Sequence, residues 1–370
     1  MSMFGKAAFD AAKYASFRPT YPPSLYSAVL TYHRQGVLSH LSQRNPGSVP
    51  DCILDVGTGT GAVVRELAPH FSRAVAIDTS EPMLSTARDL SSEVTTSSGK
   101  PIEFLQHSAD FLDSIPGLSP DPTGYQGPGA DKTEPHRPSL VTCAQCFHWL
   151  NSPAFEDSVA RVIADGGTFA TWSYKDPVIV SRPGPSSALR SWTYSNPRGM
   201  GSHWDQPGRS RLRELIMPQL GRDYWKYWRG SFDPDPGLPA DGSRRKGKIE
   251  GDLLPQDPSE KLFTLRDTKA RWLTLPQTWM QQKTTLGGLE AYLRTYSAFA
   301  KWKEVTPEAS RQSRAEGNEE GDMVDWIMDD MAAAEPEWKS LDPEARAEVE
   351  VDLVWGSFVQ LARKHIKMEV

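Results

Sequence analysis

A glycine-rich turn between an apolar run and a helical segment constrains the fold of this chain more than any other feature. The apolar run, Cys52–Val56, has the length of a buried parallel strand, and Gly-Thr-Gly-Thr-Gly follows at residues 57–61. Glycine lets the backbone turn tightly and approach a ligand without a clash from a Cβ atom. The helix predicted from Ala62 presents free N–H groups at its N-terminus. This strand–turn–helix unit predicts an α/β fold that binds a nucleotide-like ligand.

The elements after that turn alternate between strands and helices up to about residue 175. Ser80 can cap a helix that begins at Glu81, and Gly166 can end a helix that begins at Ser152. This alternation implies a mainly parallel sheet with helices on both faces, which is a doubly wound α/β fold. Four further strands are predicted over Ala74–Ile77, Ile102–Leu105, Leu140–Ala144 and Thr168–Trp172.

The second half of the chain differs from the first in composition and pattern. All 12 tryptophans lie between Trp149 and Trp355, which suggests different roles for the two halves, although each single tryptophan fits ordinary core packing. Two segments rich in proline, glycine or charge, 117–138 and 234–260, are predicted to be loops. Helices are predicted over Leu212–Leu220, Leu286–Lys303, Asp322–Met331 and Pro343–Ile366.

Charge and cysteine content argue against several classes of protein. The 41 basic and 47 acidic residues give a net charge of −6, which disfavours nucleic acid as a partner. Three cysteines cannot build a disulfide framework, so we expect a reducing compartment. No apolar run approaches the ~18 residues of a membrane span, and the charged N-terminal stretch does not resemble a signal peptide. We therefore expect a cytoplasmic protein without a membrane partner, of undetermined oligomeric state.

Three carboxylates indicate which nucleotide-like ligand the turn binds. Asp78 ends the second strand, where a carboxylate can accept both ribose hydroxyls of NAD or of S-adenosyl-methionine. Asp55 lies two residues before Gly57, and a carboxylate there can meet an ammonium group, which NAD lacks. Asp110, after the third strand, can accept a hydrogen bond from an adenine amino group; the alternative is a helix N-cap. The set favours S-adenosyl-methionine.

The glycine loop and these carboxylates resemble the class I methyltransferases that use S-adenosyl-methionine. Tyr14–Pro22, Cys146–Trp149, His203–Leu212 and Tyr292–Ala298 further resemble the fungal trans-aconitate methyltransferase group. The resemblance implies a Rossmann-like sheet of seven strands with the last one antiparallel, completed by strands near Tyr224–Phe232 and Thr278–Thr284. It also implies three regions: a helical lid over 1–50, the donor-binding α/β core over 51–175, and a mainly helical region over 176–370 that caps the acceptor.

The same resemblance implies roles for residues around the donor. The glycine loop would hold the methionine part, Asp78 the ribose and Asp110 the adenine, while Tyr14 and Arg18 would clamp the donor carboxylate. The complete candidate set for the donor is Tyr14, Arg18, Asp55, Gly57, Thr58, Gly59, Gly61, Asp78, Thr79, Met83, Ala109, Asp110, Phe111 and Gln145.

The acceptor side offers one candidate catalytic residue, His148. A sulfonium donor is already activated, so a carboxylate acceptor needs no base, whereas a hydroxyl or an amine is helped by one. His148 follows the fourth strand, where doubly wound folds bind ligands, and it can take a proton or bond the acceptor. The alternative is a structural histidine bonded to backbone. Trp149 beside it can pack on the acceptor or close the donor pocket.

Arginines suit an anionic acceptor because the guanidinium fork holds a carboxylate with two hydrogen bonds. Arg209 and Arg211 lie near Trp204 in one of the stretches that carry the resemblance, so these three are candidate acceptor-binding residues. The alternative for the two arginines is a solvated helix face. Cys143 and Cys146 have no further ligands at metal spacing, so we expect packing and no metal site.

The predicted function is transfer of a methyl group from S-adenosyl-methionine to an oxygen, carboxylate or hydroxyl, of a small molecule. A small polycarboxylate and a fungal secondary metabolite are the two candidate acceptors. N-methylation of a metabolite and a non-catalytic, donor-binding regulator are the alternatives. An NAD-dependent oxidoreductase is disfavoured by Asp55 and by the lack of a second nucleotide-binding half.

Overall fold

The computed structural model describes residues 10–41, 51–118, 137–216, 225–232, 262–266, 272–276 and 279–364. Most of the two predicted loop segments, 117–138 and 234–260, falls outside the described residues. The described strands are β1 Cys52–Val56, β2 Arg73–Asp78, β3 Glu103–Gln106, β4 Leu140–Ala144, β5 Thr168–Ile179, β6 Trp225–Phe232, β7 Leu262–Arg266, β8 Trp272–Pro276, β9 Gln281–Thr285 and β10 Glu350–Lys364.

The main sheet has the order β3-β2-β1-β4-β5-β10-β6. Strands β1 to β5 are parallel, and β10 is antiparallel to β5, β6 and β9. Strands β9 and β6 follow each other along the outer edge of β10, so the sheet has seven positions. The predicted doubly wound, Rossmann-like sheet with an antiparallel last strand is confirmed. Strands β7 and β8 form a separate antiparallel pair.

Apolar residues on both faces explain why the sheet is covered on both sides. All five residues of β1 are buried, and two consecutive residues of this strand, Ile53 and Leu54, belong to two different apolar clusters. The Ile53 cluster includes Val29 of the second helix, and the Leu54 cluster includes Phe155 of the fifth. Since consecutive side chains of a strand point to opposite faces, a strand with apolar side chains on both faces requires helices on both sides.

The helices that surround the sheet begin as the sequence predicts in several places. Ser80 caps the helix after β2, because its hydroxyl accepts a hydrogen bond from the Met83 amide at 3.3 Å. The helices are α1 Ala11–Phe17, α2 Pro23–Leu41, α3 Ala62–Leu67, α4 Glu81–Leu90, α5 Ser152–Val162, α6 Pro183–Tyr194, α7 Gly208–Arg213, α8 Leu286–Leu293, α9 Ser297–Val305, α10 Glu308–Arg311, α11 Met323–Ala333, α12 Pro336–Lys339 and α13 Pro343–Ala347. Across the described ranges, no helix combines the length and the apolar character that a membrane span requires.

The helix predicted over Pro343–Ile366 is wrong beyond its first turn. Only α13 is helical, and the chain then forms β10, which is central to the sheet. Residues 353–362 are all buried because β10 is covered on both faces, which hides the strand period in the sequence. The helix predicted over Leu212–Leu220 is also wrong as far as the described residues extend, because α7 ends at Arg213 and residues 214–216 are not helical.

Candidate active site

The three glycines of the turn after β1 all have left-handed backbone angles. The φ values are +64° at Gly57, +56° at Gly59 and +79° at Gly61, a region that side chains other than glycine rarely adopt. A Cβ atom on Gly57 would lie 2.6 Å from the sulfur of Cys146. A Cβ atom on Gly59 would meet no atom within 4 Å. The turn therefore packs tightly against the end of β4 at Gly57 and faces open space at Gly59.

Asp55 stabilises the glycine-rich turn through hydrogen bonds. Its carboxylate is buried and accepts hydrogen bonds from the hydroxyls of Thr58, at 2.7 Å, and Thr142, at 2.6 Å. The Thr58 amide donates to the carbonyl of Ile77 at 2.9 Å, which ties the turn to β2. Burial raises the pKa of Asp55 to about 6, although the two hydroxyl bonds oppose this shift. The predicted contact between Asp55 and an ammonium group stays a prediction.

Asp78 lies beside the open space at Gly59. One carboxylate oxygen accepts a hydrogen bond from the Gly59 amide and the other from the Ser80 amide, each at 2.9 Å. Burial raises the pKa of Asp78, while these amide bonds work against that rise. Two backbone donors thus hold the carboxylate at the carboxyl end of β2. Of its predicted neighbours, Thr79 is exposed and Met83 is buried in the first turn of α4.

The segment after β3 is a 3₁₀ turn over Ala109–Ser114. Ser108 is its N-cap, since the Ser108 hydroxyl accepts a hydrogen bond from the Asp110 amide at 3.3 Å. The interpretation of Asp110 as a helix N-cap is therefore wrong. The half-buried carboxylate of Asp110 does not cap this turn. Ala109 is buried, whereas the ring of Phe111 is 62% exposed.

Gln145 and His148 follow β4. Gln145 has a φ of +54°, and its side-chain amide donates to the Tyr174 carbonyl at 2.7 Å and accepts from the Tyr174 amide at 2.8 Å. His148 lies in a 3₁₀ turn, is buried, and its Nδ1 has no hydrogen-bond partner. Burial, helped by the positive charges of Arg209 and Arg18, lowers the pKa of His148 to about 3. The imidazole is therefore neutral at physiological pH.

A cavity that is partly open to solvent lies at the carboxyl ends of β4 and β5. Residues predicted for the donor and residues predicted for the acceptor meet in its wall. The former are Tyr14, Arg18 and Gln145, and the latter are His148, Trp149, Trp204 and Arg209.

Six further residues line the cavity and were not among the predicted site residues: Lys175, Asp176, Leu212, Tyr292, Tyr296 and Ser297. Tyr292 and Tyr296 come from a stretch that carries the family resemblance, so that resemblance was a signal for them. Lys175 and Asp176 lie in β5 beyond the predicted end of the strand at Trp172, and no sequence motif marks them.

Arg18 lies among aromatic rings in the cavity wall. The centre of its guanidinium is 4.7 Å from the ring centroid of Tyr14, 5.3 Å from that of Tyr292 and 5.4 Å from that of Tyr296. It donates one hydrogen bond to the Thr295 carbonyl at 3.1 Å. Its Nε is buried without a hydrogen-bond partner. A buried donor of this kind favours an anionic ligand.

Arg209 is the second guanidinium of the cavity, and it is 6% exposed. Its Nη2 donates to the Asp176 carboxylate and to the Tyr194 hydroxyl, the latter at 2.8 Å. Its guanidinium centre lies 3.9 Å from the ring centroid of Trp204. Burial disfavours the charge on Arg209, but Asp176, Tyr194 and Tyr296 together outweigh the burial and raise the pKa above its usual value. Its Nε, too, is buried without a partner.

Arg211 does not line the cavity, and its predicted role in acceptor binding stays a prediction. Its Nη1 donates to the Leu150 carbonyl at 2.8 Å, so it ties α7 to the segment after His148. The sulfurs of Cys143 and Cys146 lie 2.9 Å apart, and Cys143 is buried. Within the described ranges, no group of three or more His, Cys, Asp or Glu side chains is placed to hold a metal ion.

Comparison with known proteins identifies the class. Residues 53–119 match the model of a methyltransferase domain family. A probable S-adenosyl-methionine-dependent methyltransferase of Saccharomyces cerevisiae is 23% identical over 300 residues, which cover 81% of this chain and 82% of that protein. A methyltransferase of Aspergillus candidus is 27% identical over 191 residues, 50% of this chain and 48% of that protein. A solved structure described as a candidate type II methyltransferase from Anaeromyxobacter dehalogenans aligns with 94% of this chain and 98% of its own, at 16% identity and a TM-score of 0.47.

The sheet order and the glycine turn with its flanking carboxylates give the chain the fold of the class I methyltransferases, and the match to a methyltransferase domain over residues 53–119 agrees with this fold. The chain is an S-adenosyl-methionine-dependent enzyme, as the sequence predicts. The open space at Gly59, beside the oriented Asp78 carboxylate, fits a ligand with a ribose.

Proposed function

We propose that this enzyme methylates a carboxylate oxygen of a small acidic molecule and produces a methyl ester. One observation carries the proposal. The guanidiniums of Arg18 and Arg209, each with a buried Nε that lacks a hydrogen-bond partner, share one cavity with His148, whose pKa burial lowers to about 3.

The residues around the glycine turn would hold the methyl donor. Gly59 leaves room for it, Asp78 would accept hydrogen bonds from the ribose hydroxyls, and Asp110 with the exposed Phe111 would border the adenine. Arg18 would pair with the donor carboxylate, since its Nε lacks a partner inside the protein. When bound, the donor supplies a methyl group on a positively charged sulfur.

The acceptor would lie between His148 and Arg209. Its second anionic group would accept a hydrogen bond from the Nε of Arg209, and Trp149 and Trp204 would cover its apolar part. Trp149 is 41% exposed and lies in the cavity wall, so it is available for such a contact. Arg211 would act indirectly, by holding α7 in place.

The basicity of His148 distinguishes the possible acceptors. A general base works best when its pKa lies near the working pH, and the pKa of His148 is lowered to about 3. A carboxylate is already ionised and needs no base, whereas a hydroxyl does. An amine is disfavoured for another reason, because Arg18, Lys175 and Arg209 give the cavity more positive than negative charge. His148 would instead hydrogen-bond the acceptor as a neutral imidazole.

The acceptor would be a small polycarboxylate, as the resemblance to the fungal trans-aconitate methyltransferase group implies. An aromatic or hydroxylated acid from secondary metabolism is the second candidate, and the two tryptophans of the cavity wall favour it. In both, one carboxylate reacts and a second polar group meets Arg209.

The N-terminal region would act as a lid over this site. Helix α1 carries Tyr14 and Arg18 into the cavity wall, and Asp10 caps the helix by accepting a hydrogen bond from the Lys13 amide at 2.8 Å. A lid that carries the Arg18 charge would close when the donor binds and would exclude water from the reaction. The 51–175 core would then bind the donor and the 176–370 region would form the acceptor side.

Turnover with radiolabelled donor tests the proposal. The purified chain would be assayed with trans-aconitate, citrate, fumarate, succinate and salicylate, and with the full methyl ester of each acid as a matched control. We expect label in a base-labile ester of at least one acid and none with the esters. Methylation of hydroxylated or amine metabolites, with none of the acids accepted, would refute the carboxylate proposal.

A further inference from the structure

A β-bulge brings two consecutive side chains of β5 into the cavity. Gly356 of β10 stands opposite both Lys175 and Asp176, where a regular antiparallel ladder would pair one residue with one. In a regular strand these two side chains would point to opposite faces of the sheet. Both line the cavity. The bulge therefore places a carboxylate in a wall that is otherwise cationic.

Asp176 forms a closed hydrogen-bond network with Arg209 of that wall and with Tyr194, which does not itself line the cavity. One carboxylate oxygen accepts from Arg209 Nη2 and the other from the Tyr194 hydroxyl. The Tyr194 oxygen in turn accepts from Arg209 Nη2 at 2.8 Å. The side chains of Arg209 and Asp176 are 7% and 15% exposed, so water competes little for these bonds. Two of these bonds hold one amino group of the guanidinium, and the third ties its two acceptors, Asp176 and Tyr194, to each other.

A half-buried arginine, Arg294, shows what a purely structural network looks like. Arg294 bonds Glu290 through Nε, Asp322 through Nη1, and both Glu290 and Asp325 through Nη2. All three of its nitrogens have protein partners, and it is absent from the cavity wall. Arg209 differs because its Nε is buried without a partner and the residue lines the cavity.

We propose that Asp176 is a positioning residue for the acceptor: together with Tyr194 it holds Arg209 so that the free Nε–H of the guanidinium receives an anionic group of the substrate. This inference rests on the proposed function and assigns part of the acceptor recognition to a residue that does not itself bind the acceptor. Loss of Asp176 would leave Arg209 charged and held less firmly, by Tyr194 and Trp204 alone, so the acceptor would bind more weakly while the donor site stayed intact.

The test compares four variants with the wild-type enzyme on the panel acid that the wild type methylates fastest. They are Asp176→Asn, Arg209→Gln, the double variant of these two, and Asp322→Asn, which breaks the structural Arg294 network. The KM for the acid, the KM for S-adenosyl-methionine, kcat and the melting temperature are measured for each. Tyr194→Phe removes one anchor and serves as a milder variant if Asp176→Asn folds poorly.

We expect Asp176→Asn to raise the KM for the acid by roughly 10- to 100-fold and to leave the KM for the donor within about twofold. Asp322→Asn should lower the melting temperature without moving the KM for the acid. The double variant should recover melting temperature relative to Asp176→Asn, because it buries no uncompensated charge. Its KM for the acid should equal that of Arg209→Gln alone, since Asp176 acts through Arg209.

Two results would overturn the inference. An unchanged KM for the acid in both Asp176→Asn and Tyr194→Phe would show that the network is structural. A double variant that recovers acid binding together with stability would show the same. If the wild type methylated none of the acids, the proposed function would fail and the inference with it, whereas failure of the variants with an active wild type rejects the inference alone.

Discussion

The substitutions Gly57→Ala and Gly59→Ala are expected to damage the enzyme in different ways, although the two positions are only two residues apart. Both have left-handed backbone angles, with φ of +64° and +56°. A methyl group on Gly57 would lie 2.6 Å from the sulfur and 2.7 Å from the Cβ of Cys146. A methyl group on Gly59 would point into space free of protein atoms.

The magnitudes follow from these contacts. A left-handed angle costs a residue with a side chain about 1–2 kcal/mol, which is the whole effect on folding expected at Gly59. At Gly57 the clash with Cys146 adds about 1–3 kcal/mol of overpacking, for a total of about 2–5 kcal/mol. Replacing Cys146 by alanine would not relieve the clash, because the Cβ of Cys146 is itself too close.

Denaturant unfolding followed by tryptophan fluorescence, together with calorimetric titration of S-adenosyl-homocysteine, would measure both effects. We expect Gly57→Ala to lose more unfolding free energy than Gly59→Ala. Gly59→Ala should fold and yet bind the product at least about tenfold more weakly, since its methyl group takes up space where we place the donor.

Gly99→Ala is the matched control for backbone strain. Gly99 has a φ of +74° and would meet no atom within 4 Å, and it lies in a turn away from the cavity wall. It should lose stability as Gly59→Ala does and bind the product normally. Equal destabilisation at Gly57 and Gly59, or normal product binding by Gly59→Ala, would refute the reasoning.

Three further predictions concern single side chains. Asp55→Asn should stabilise the protein relative to wild type at neutral pH but not near about pH 4. Burial raises the pKa of Asp55 from 3.8 to about 6, so the wild-type native state loses up to about 3 kcal/mol of stability as Asp55 ionises across that range. Denaturant unfolding at the two pH values would measure this difference. Equal differences at both pH values would contradict it. His148→Gln should keep kcat within about tenfold on an acid. The pH dependence of the wild-type rate should show no titration of His148 between about pH 5 and 8, because burial lowers its pKa to about 3. A loss of about 100-fold in kcat would indicate that His148 is a general base. Arg18→Gln should weaken binding of S-adenosyl-homocysteine at least about tenfold in calorimetry, whereas Lys13→Gln on the exposed side of α1 should not. Equal binding by the two variants would show that Arg18 does not bind the donor.

The donor half of the fold could be predicted because its signals are local. Strands β1 and β4 have their predicted bounds, and Ser80 caps α4 as its position before Glu81 suggests. Each of these features depends on a short stretch of sequence, through apolar runs, capping side chains and glycines at fixed spacing. The acceptor half was predicted less well, and β10 is the largest error. Val349, Val351 and Leu353 alternate with polar residues at its start, but the mostly apolar stretch that follows fits a buried helix as well as a buried strand.

Two arginines on the acceptor side of the cavity have different roles that the sequence does not distinguish. Arg209 and Arg211 lie two residues apart in one motif, and nothing in their types tells that the first lines the cavity while the second binds the Leu150 carbonyl. The rotation of the short helix α7 against its neighbours separates them.

The sequence alone was sufficient for the class of fold, the donor and the glycine turn, because backbone conformation and strand burial follow from neighbouring residues. The placement of Lys175 and Asp176 was not accessible in this way. It depends on a bulge opposite Gly356, in a strand that pairs with β5 from the far end of the chain. Side chains that gather at a site through long-range strand pairing leave no pattern in the local sequence, since the partner that orients them is distant along the chain.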